Sequence, residues 1–193
     1  MKENAFNEKK LSWLNLFMYG YLIVETIFLA NSIGGEIPEE YKNNLTLFWV
    51  EKVCTLSICA FSLYTFLAFF YKWRNAVYIS YVFLGGIIFM NCANVIYGIG
   101  NVAEAKTLVL SAFQIIIAIL WLIYFKYSKE VNSLFPHEER QLFGRDLIIC
   151  SVFAIISLLS FWSTFSKPSL STTSVVEGME LTESNQPSLL IDE

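Results

Sequence analysis

Five long stretches of this chain contain almost no charge. Residues 53–71, 75–101, 107–125 and 147–165 carry no Asp, Glu, Lys or Arg, and residues 11–33 carry one, Glu25. About twenty apolar residues wound as a helix cross a bilayer core of about 30 Å. A helix that is apolar all round must face lipid or be buried on every side. Membrane strands are excluded, because these runs are too long and do not alternate in polarity as barrel strands do. The chain therefore reads as an all-α polytopic transmembrane helix bundle whose main solvent is the bilayer.

Composition agrees: 55% of the 193 residues are hydrophobic and 16% charged, against about 25% charged in soluble domains. The net charge of −4 belongs to the last segment. Lys167 there opposes Glu177, Glu180, Glu183, Asp192 and Glu193, and the remainder balances. No domain-wide basic field exists to attract nucleic acid. The four cysteines, Cys54, Cys59, Cys92 and Cys150, all lie inside apolar runs and read as small buried hydrophobes rather than a disulfide or metal set. Cys54 and Cys59 would point about 140° apart on one helix.

The spacing predicts helices at about 11–33, 46–71, 75–99, 105–127 and 146–166. Basic residues in short loops set orientation. Nine of them (Lys2, Lys9, Lys10, Lys72, Arg74, Lys126, Lys129, Arg140 and Arg145) fall on one side if the helices alternate, and four (Lys42, Lys52, Lys106 and Lys167) on the other. This places residues 1–10 in the cytoplasm and the tail, 167–193, outside. Trp13, Trp73, Trp121, Tyr124 and Tyr127 near inner ends, with Trp49, Tyr97 and Trp162 near outer ends, match interfacial aromatic belts. Lys9-Lys10 before an apolar run also resembles a signal peptide, but the run extends to Ile33 and Glu3 and Glu8 interrupt the leader, so retention is expected. Gly34-Gly35 ends the first helix and Pro38 turns the first outer loop. Asn44-Leu45-Thr46 matches a glycosylation sequon set too close to the second helix to be modified readily. The tail, rich in Ser, Thr and Glu, is expected to be disordered.

An ionisable group inside a membrane span costs about 2.5–3.5 kcal/mol on insertion scales and is a functional candidate by default. Glu25 lies about 12 Å inward from the end of the first helix. The same ruler puts Glu51 about 8 Å deep on the second helix, Asn94 and Asn91 about 6 and 10 Å deep on the third, and Ser111 and Gln114 about 6 and 10 Å deep on the fourth. Four helices thus place a carboxylate or polar group at similar depth in the outer half. Two readings stand. In one, these groups hydrogen-bond each other and fix helix register, contributing roughly 0.6–2 kcal/mol per bond. In the other, they line a small polar cavity open to the outside that takes a proton, cation or small polar ligand. Gly85-Gly86 in mid-helix reads as a site of close packing against a neighbour.

No other chemistry is legible. His137 is the single histidine and sits in the inner connection beside Glu138 and Glu139. No metal-ligand spacing, Gly-x-Ser-x-Gly elbow, phosphate loop or dinucleotide fingerprint occurs. No catalytic, cofactor-binding or metal residue is assigned.

The end of the fourth run carries Trp121, Tyr124, then Ser128-Lys129-Glu130-Val131 and Phe135. This segment resembles the signature of a bacterial membrane-protein family known as domain of unknown function 2569. Leu11-Ser12-Trp13-Leu14, Trp49-Val50-Glu51 and Ala103-Glu104-Ala105-Lys106 resemble the family's entries to helices one, two and four. Ile123 stands where a Pro is frequent and Glu130 where a basic residue is usual. The resemblance covers about residues 11–135. It implies a four-helix inner-membrane core, with the fifth helix and acidic tail as additions, and no activity. The expected function is a non-enzymatic accessory or envelope role, with the bilayer and a membrane-protein partner or homo-oligomer as partners and no cofactor. The alternative is a small transporter or channel subunit using the outer polar cavity.

Overall fold

A computed structural model of the chain describes residues 12–34, 44–100, 105–140 and 144–166. Residues 1–11, most of the first outer loop, the run-in at residues 101–104, residues 141–143 and the acidic tail lie outside the described residues. Five helices are long and apolar enough to cross a membrane, and no strand occurs among the described residues.

The first, α1, starts as α-helix over Trp13–Asn15, is wound as π-helix over Leu16–Leu22 and returns to α-helix over Ile23–Ile33. Ser12 caps its start, its hydroxyl oxygen accepting from the amides of Leu14 and Asn15 at 3.2 and 3.4 Å. Such caps satisfy backbone donors that have no intrahelical partner. Helix α2 spans Leu45–Phe70, and the Asn44 side chain caps it by accepting from the Leu47 amide at 3.2 Å. Helices α3 (Ala76–Gly100) and α4 (Ala105–Tyr127) follow. A short helix, α5 (Lys129–Leu134), leads through a 3₁₀ turn at His137–Glu139 to α6 (Gly144–Phe165).

Helices α2, α3 and α6 pack against one another in a three-helix interior. Helix α4 lies against α3, and α1 against α2. The fifth spanning helix, α6, packs in the groove between α2 and α3. Aromatic rings explain why: Phe153 of α6 stacks on Phe61 of α2 with centroids 4.0 Å apart, and Phe83 of α3 closes on both at 6.2 Å. Gly86 of α3 permits this approach. A Cβ built there would lie 2.5 Å from the Phe153 ring, whereas one at Gly85 meets nothing within 4 Å. Four of the exposed rings lie near the two ends of the bundle, Trp13 and Tyr127 at one, Trp49 and Trp162 at the other, as interfacial side chains do.

The end that carries the α2–α3 turn is closed by the connection after α4. Ser128 caps α5 by accepting from the Val131 amide, and Val131 and Phe135 plug the bundle, the latter edge-on to Phe69 at 5.5 Å. Glu130 accepts hydrogen bonds from Ser12 and, at 2.7 Å, from Tyr124, which ties α1, α4 and α5. Buried Arg140 donates to the Phe135 carbonyl at 2.9 Å and the Asn132 amide oxygen at 2.7 Å. Asp146, also buried, accepts from Tyr64 at 2.5 Å and meets Arg145 at 3.7 Å. Residues 128–135 thus have structural work: they cap, plug and lock one end.

Candidate functional site

The opposite end, where α3 leads to α4, holds a small polar pocket. Its volume is about 120 Å³, and Glu51, Cys54, Thr55 and Ile58 of α2, Asn94 of α3, and Ser160, Ser163 and Thr164 of α6 line it. Glu51 and Asn94 each lie six residues from a helix end, about 9 Å at 1.5 Å per residue, while Thr164 lies one residue from the end of α6. The pocket therefore runs from the helix ends into the outer apolar region.

The hydroxyls around it share one arrangement. Thr55 donates to the Glu51 carbonyl at 2.9 Å, Ser163 to the Ser160 carbonyl at 2.9 Å and Thr164 to the same carbonyl at 3.0 Å. The Cys54 thiol is directed to the Ile156 carbonyl at 3.9 Å. The protons of Thr55, Ser163 and Thr164 are committed to carbonyls of the helices that carry them, as Ser and Thr do in apolar surroundings, so these three oxygens offer lone pairs to anything in the pocket. Ile58 forms its inner wall. Beneath, the stack of Phe61, Phe153 and Phe83 shuts the three-helix interior.

Of the six polar residues singled out in the sequence, Glu51 and Asn94 meet in this pocket, and Glu25, Asn91, Ser111 and Gln114 do not line it. Asn91 is buried and donates to the Ile87 carbonyl of its own helix at 2.9 Å. Ser111 is buried and Gln114 half-buried on α4. Glu25 is half-buried, within electrostatic range of the Tyr21 phenol and the Cys59 thiol. No hydrogen bond among the described residues joins any two of the six. Glu25→Leu is accordingly expected to hold or raise thermal stability in detergent, because an apolar group replaces a carboxylate that no hydrogen bond holds among the described residues. A loss above about 1 kcal/mol, the scale of one interhelical polar bond, would show that Glu25 ties helices after all.

Sequence reasoning missed Thr55, Ser160, Ser163 and Thr164. Their signal was present. Ser157, Ser160 and Ser163-Thr164 recur every three or four residues along α6, which sets them on one helix face. The two cysteines of α2 reach different neighbours, Cys54 towards α6 and Cys59 towards the Thr26 carbonyl of α1 at 3.9 Å. His137 is exposed, with the Arg140 guanidinium 3.3 Å from its ring. Among the described residues no cluster of His, Cys, Asp and Glu could hold a metal ion.

A larger groove of about 600 Å³ lies between α1 and α4, lined by Trp13, Leu16, Gly20, Tyr21, Ile117, Leu120, Trp121 and Tyr124. It runs along the π-wound part of α1. Its walls are almost entirely apolar, which suits a lipid-facing surface and offers no convergent chemistry. No protein-family model, curated protein or solved structure matches the chain.

Proposed function

We propose that this chain is a multi-pass protein of the bacterial inner membrane that acts without catalysing a reaction, as an accessory subunit to a membrane-protein partner or within its own homo-oligomer. Its binding element is the small polar pocket between α2, α3 and α6. The N-terminus lies in the cytoplasm and the tail outside. The carrying observation is that the pocket is blind. Below Ile58, Phe61 and Phe153 stack at 4.0 Å with Phe83 beside them, and Val131 and Phe135 plug the far end. A conduit needs a continuous polar path, and this interior is interrupted by several turns of packed rings. Three of the hydroxyls favour binding over catalysis: the protons of Thr55, Ser163 and Thr164 rest on backbone carbonyls rather than on a general base that would activate them.

The nine-to-four distribution of basic residues supports the orientation, and the resemblance of residues 119–135 to a bacterial family supports the membrane. Purification in mild detergent followed by reconstitution in liposomes tests the reading. The expected result is a stoichiometric partner or a homo-oligomer, with no Na⁺ or K⁺ flux above that of protein-free vesicles. Saturable flux would establish the transporter alternative. Labelling of single cysteines placed at each terminus with a membrane-impermeant maleimide tests the orientation: only the C-terminal one is expected to react in intact cells.

A further inference from the structure

We infer that two copies of this chain, inserted in the same direction, pair groove to groove along α1 and α4 about a two-fold axis normal to the membrane, with Glu25 of each copy hydrogen-bonded to Gln114 of the other. This rests on the reading that the chain works within an assembly, and it names the partner and the surface.

The surface is the least covered side of the bundle. Helices α4 and α1 are the two least buried of the five spanning helices. The groove of about 600 Å³ between them is walled by Leu16, Gly20 and Tyr21 of α1 and Ile117, Leu120 and Trp121 of α4. The two backbones do not pack closely on each other. Phe17 and Tyr21 bridge them through the rings of Trp121 and Phe125. Gly20 keeps the floor of the groove low. Among the described residues, a Cβ there would meet only the exposed side chain of Leu16, at 3.1 Å. A small residue at such a point lets a second helix approach closely.

Apolar packing alone does not separate a protein partner from lipid, because acyl chains are as apolar as the groove. Two polar side chains do. Glu25 follows Tyr21 by one turn on α1, and Gln114 precedes Ile117 by one turn on α4. Residues three or four apart share a helix face, so both side chains extend the walls of the groove outward. Both are half-buried, and among the described residues neither makes a hydrogen bond. The Tyr21 hydroxyl and the Cys59 thiol lie within electrostatic range of Glu25, but the hydroxyl bonds to nothing and the thiol is directed to the Thr26 carbonyl at 3.9 Å. A carboxyl or amide without a hydrogen bond at membrane depth is costly, and a partner that supplies one removes the cost. An acyl chain offers neither donor nor acceptor.

Depth selects a second copy. Glu25 lies eight residues before Ile33, the end of α1, and Gln114 nine residues after Ala105, the start of α4. At 1.5 Å per residue these are about 12 and 14 Å from the outer helix ends. A two-fold axis along the membrane normal carries each residue to its own depth in the partner, so groups that meet across it share a level. Glu25 and Gln114 share one. Their chemistry matches as well. The amide N–H of Gln114 donates to a carboxyl oxygen, and a protonated carboxyl donates to the amide oxygen. In a two-fold interface the contact is made twice, so the chain carries both halves of the bond it lacks.

The test is sedimentation equilibrium of the full chain in density-matched mild detergent over a range of detergent-to-protein ratios. A dimer that separates on dilution into detergent is expected. Glu25→Leu and Gln114→Leu each remove both symmetric bonds and should weaken association about tenfold. Glu25→Gln keeps a hydrogen-bonding group and should associate close to the wild-type level. Gly20→Leu fills the groove from within and should abolish the dimer. In excess detergent, where the copies are apart, none of these variants should melt below the wild type, which separates a lost interface from a damaged fold. Oxidation should join two copies through Leu120→Cys, which lines the groove, and not through Leu56→Cys, exposed on α2. A wild-type chain that is monomeric at every ratio, or that forms a trimer, overturns the inference. So does association that is unchanged in both Glu25→Leu and Gln114→Leu, or Leu56→Cys joining copies as readily as Leu120→Cys. The accessory reading survives each of these results and falls only if liposomes show saturable flux.

Discussion

Gly86→Val is expected to disrupt the bundle, while Gly85→Ala next to it is neutral or slightly stabilising. The two glycines share one helix, so propensity alone would favour replacing either, by about 1 kcal/mol for alanine. Packing separates them. A Cβ at Gly86 would lie 2.5 Å from Cε1 and 3.1 Å from Cζ of Phe153, and 3.0 Å from the Ser157 hydroxyl oxygen. Phe153 cannot retreat. It is 2% exposed and stacked flat on Phe61 at 4.0 Å with an interplanar angle of 11°. Overpacking of this kind costs about 1–3 kcal/mol, occasionally more, which exceeds the propensity gain. Gly86→Ala should therefore lose about 1–2 kcal/mol net, and Gly86→Val, with two further methyls and a β-branch, at least about 3 kcal/mol. Chemical denaturation in mixed micelles measures both. Equal effects at positions 85 and 86 would mean that α6 does not press on α3 at this point.

Loss of that contact would reach the pocket. The same Phe153 ring forms its closure beneath Ile58, so separating α3 from α6 would open the blind end. This couples the packing of the fifth helix to the proposed function.

The number of spans and their helical class were legible in the sequence because uncharged runs near twenty residues have few alternatives in a bilayer. Depth was legible too: a fixed rise of 1.5 Å per residue puts Glu51 and Asn94 at one level, and the structure brings them to one pocket. Azimuth was not. A helix that is apolar all round gives no stripe to say which side faces which neighbour, so nothing in the sequence distinguished Glu51, which meets α6, from Glu25, which does not. Reading α6 as an addition then hid Ser160, Ser163 and Thr164, although their spacing was plain. Two further features leave no periodic trace. The π winding of Leu16–Leu22 shifts the phase of α1 against the 3.6-residue expectation, and α5 is too short at six residues to show a period. Ser128 with Glu130 and Val131 is a usable sign of a helix start.

The phase shift in α1 leads to the second large effect, at Phe17. This residue lies in the π-wound segment and is fully buried. Its ring is edge-on to Phe125 at 4.8 Å, Trp121 at 5.0 Å and Phe69 at 5.8 Å, so one side chain joins α1 to both α2 and α4. In soluble proteins Phe→Ala in a core costs about 3–5 kcal/mol, part of it a transfer term from water. In a bilayer that term shrinks, because a separated helix still sits in hydrocarbon, and the packing and ring-geometry terms remain. Edge-to-face pairs contribute about 0.5–1.5 kcal/mol each, so three of them place the loss for Phe17→Ala at about 3 kcal/mol. Phe17→Leu refills most of the volume without the ring and should lose about half as much. Trp13→Phe, at a side chain 62% exposed, should be neutral. The cavity left by Phe17→Ala would adjoin the apolar groove between α1 and α4, where Tyr21 already has a buried hydroxyl with no partner. Release of α1 by this substitution should therefore raise proteolysis near the chain start while the α2–α3–α6 interior persists. Limited proteolysis alongside denaturation separates that outcome from global unfolding. If Phe17→Ala unfolds all five helices in one step, α1 is part of the same cooperative unit as the pocket, and its anchoring ring is as important to the site as the residues that line it.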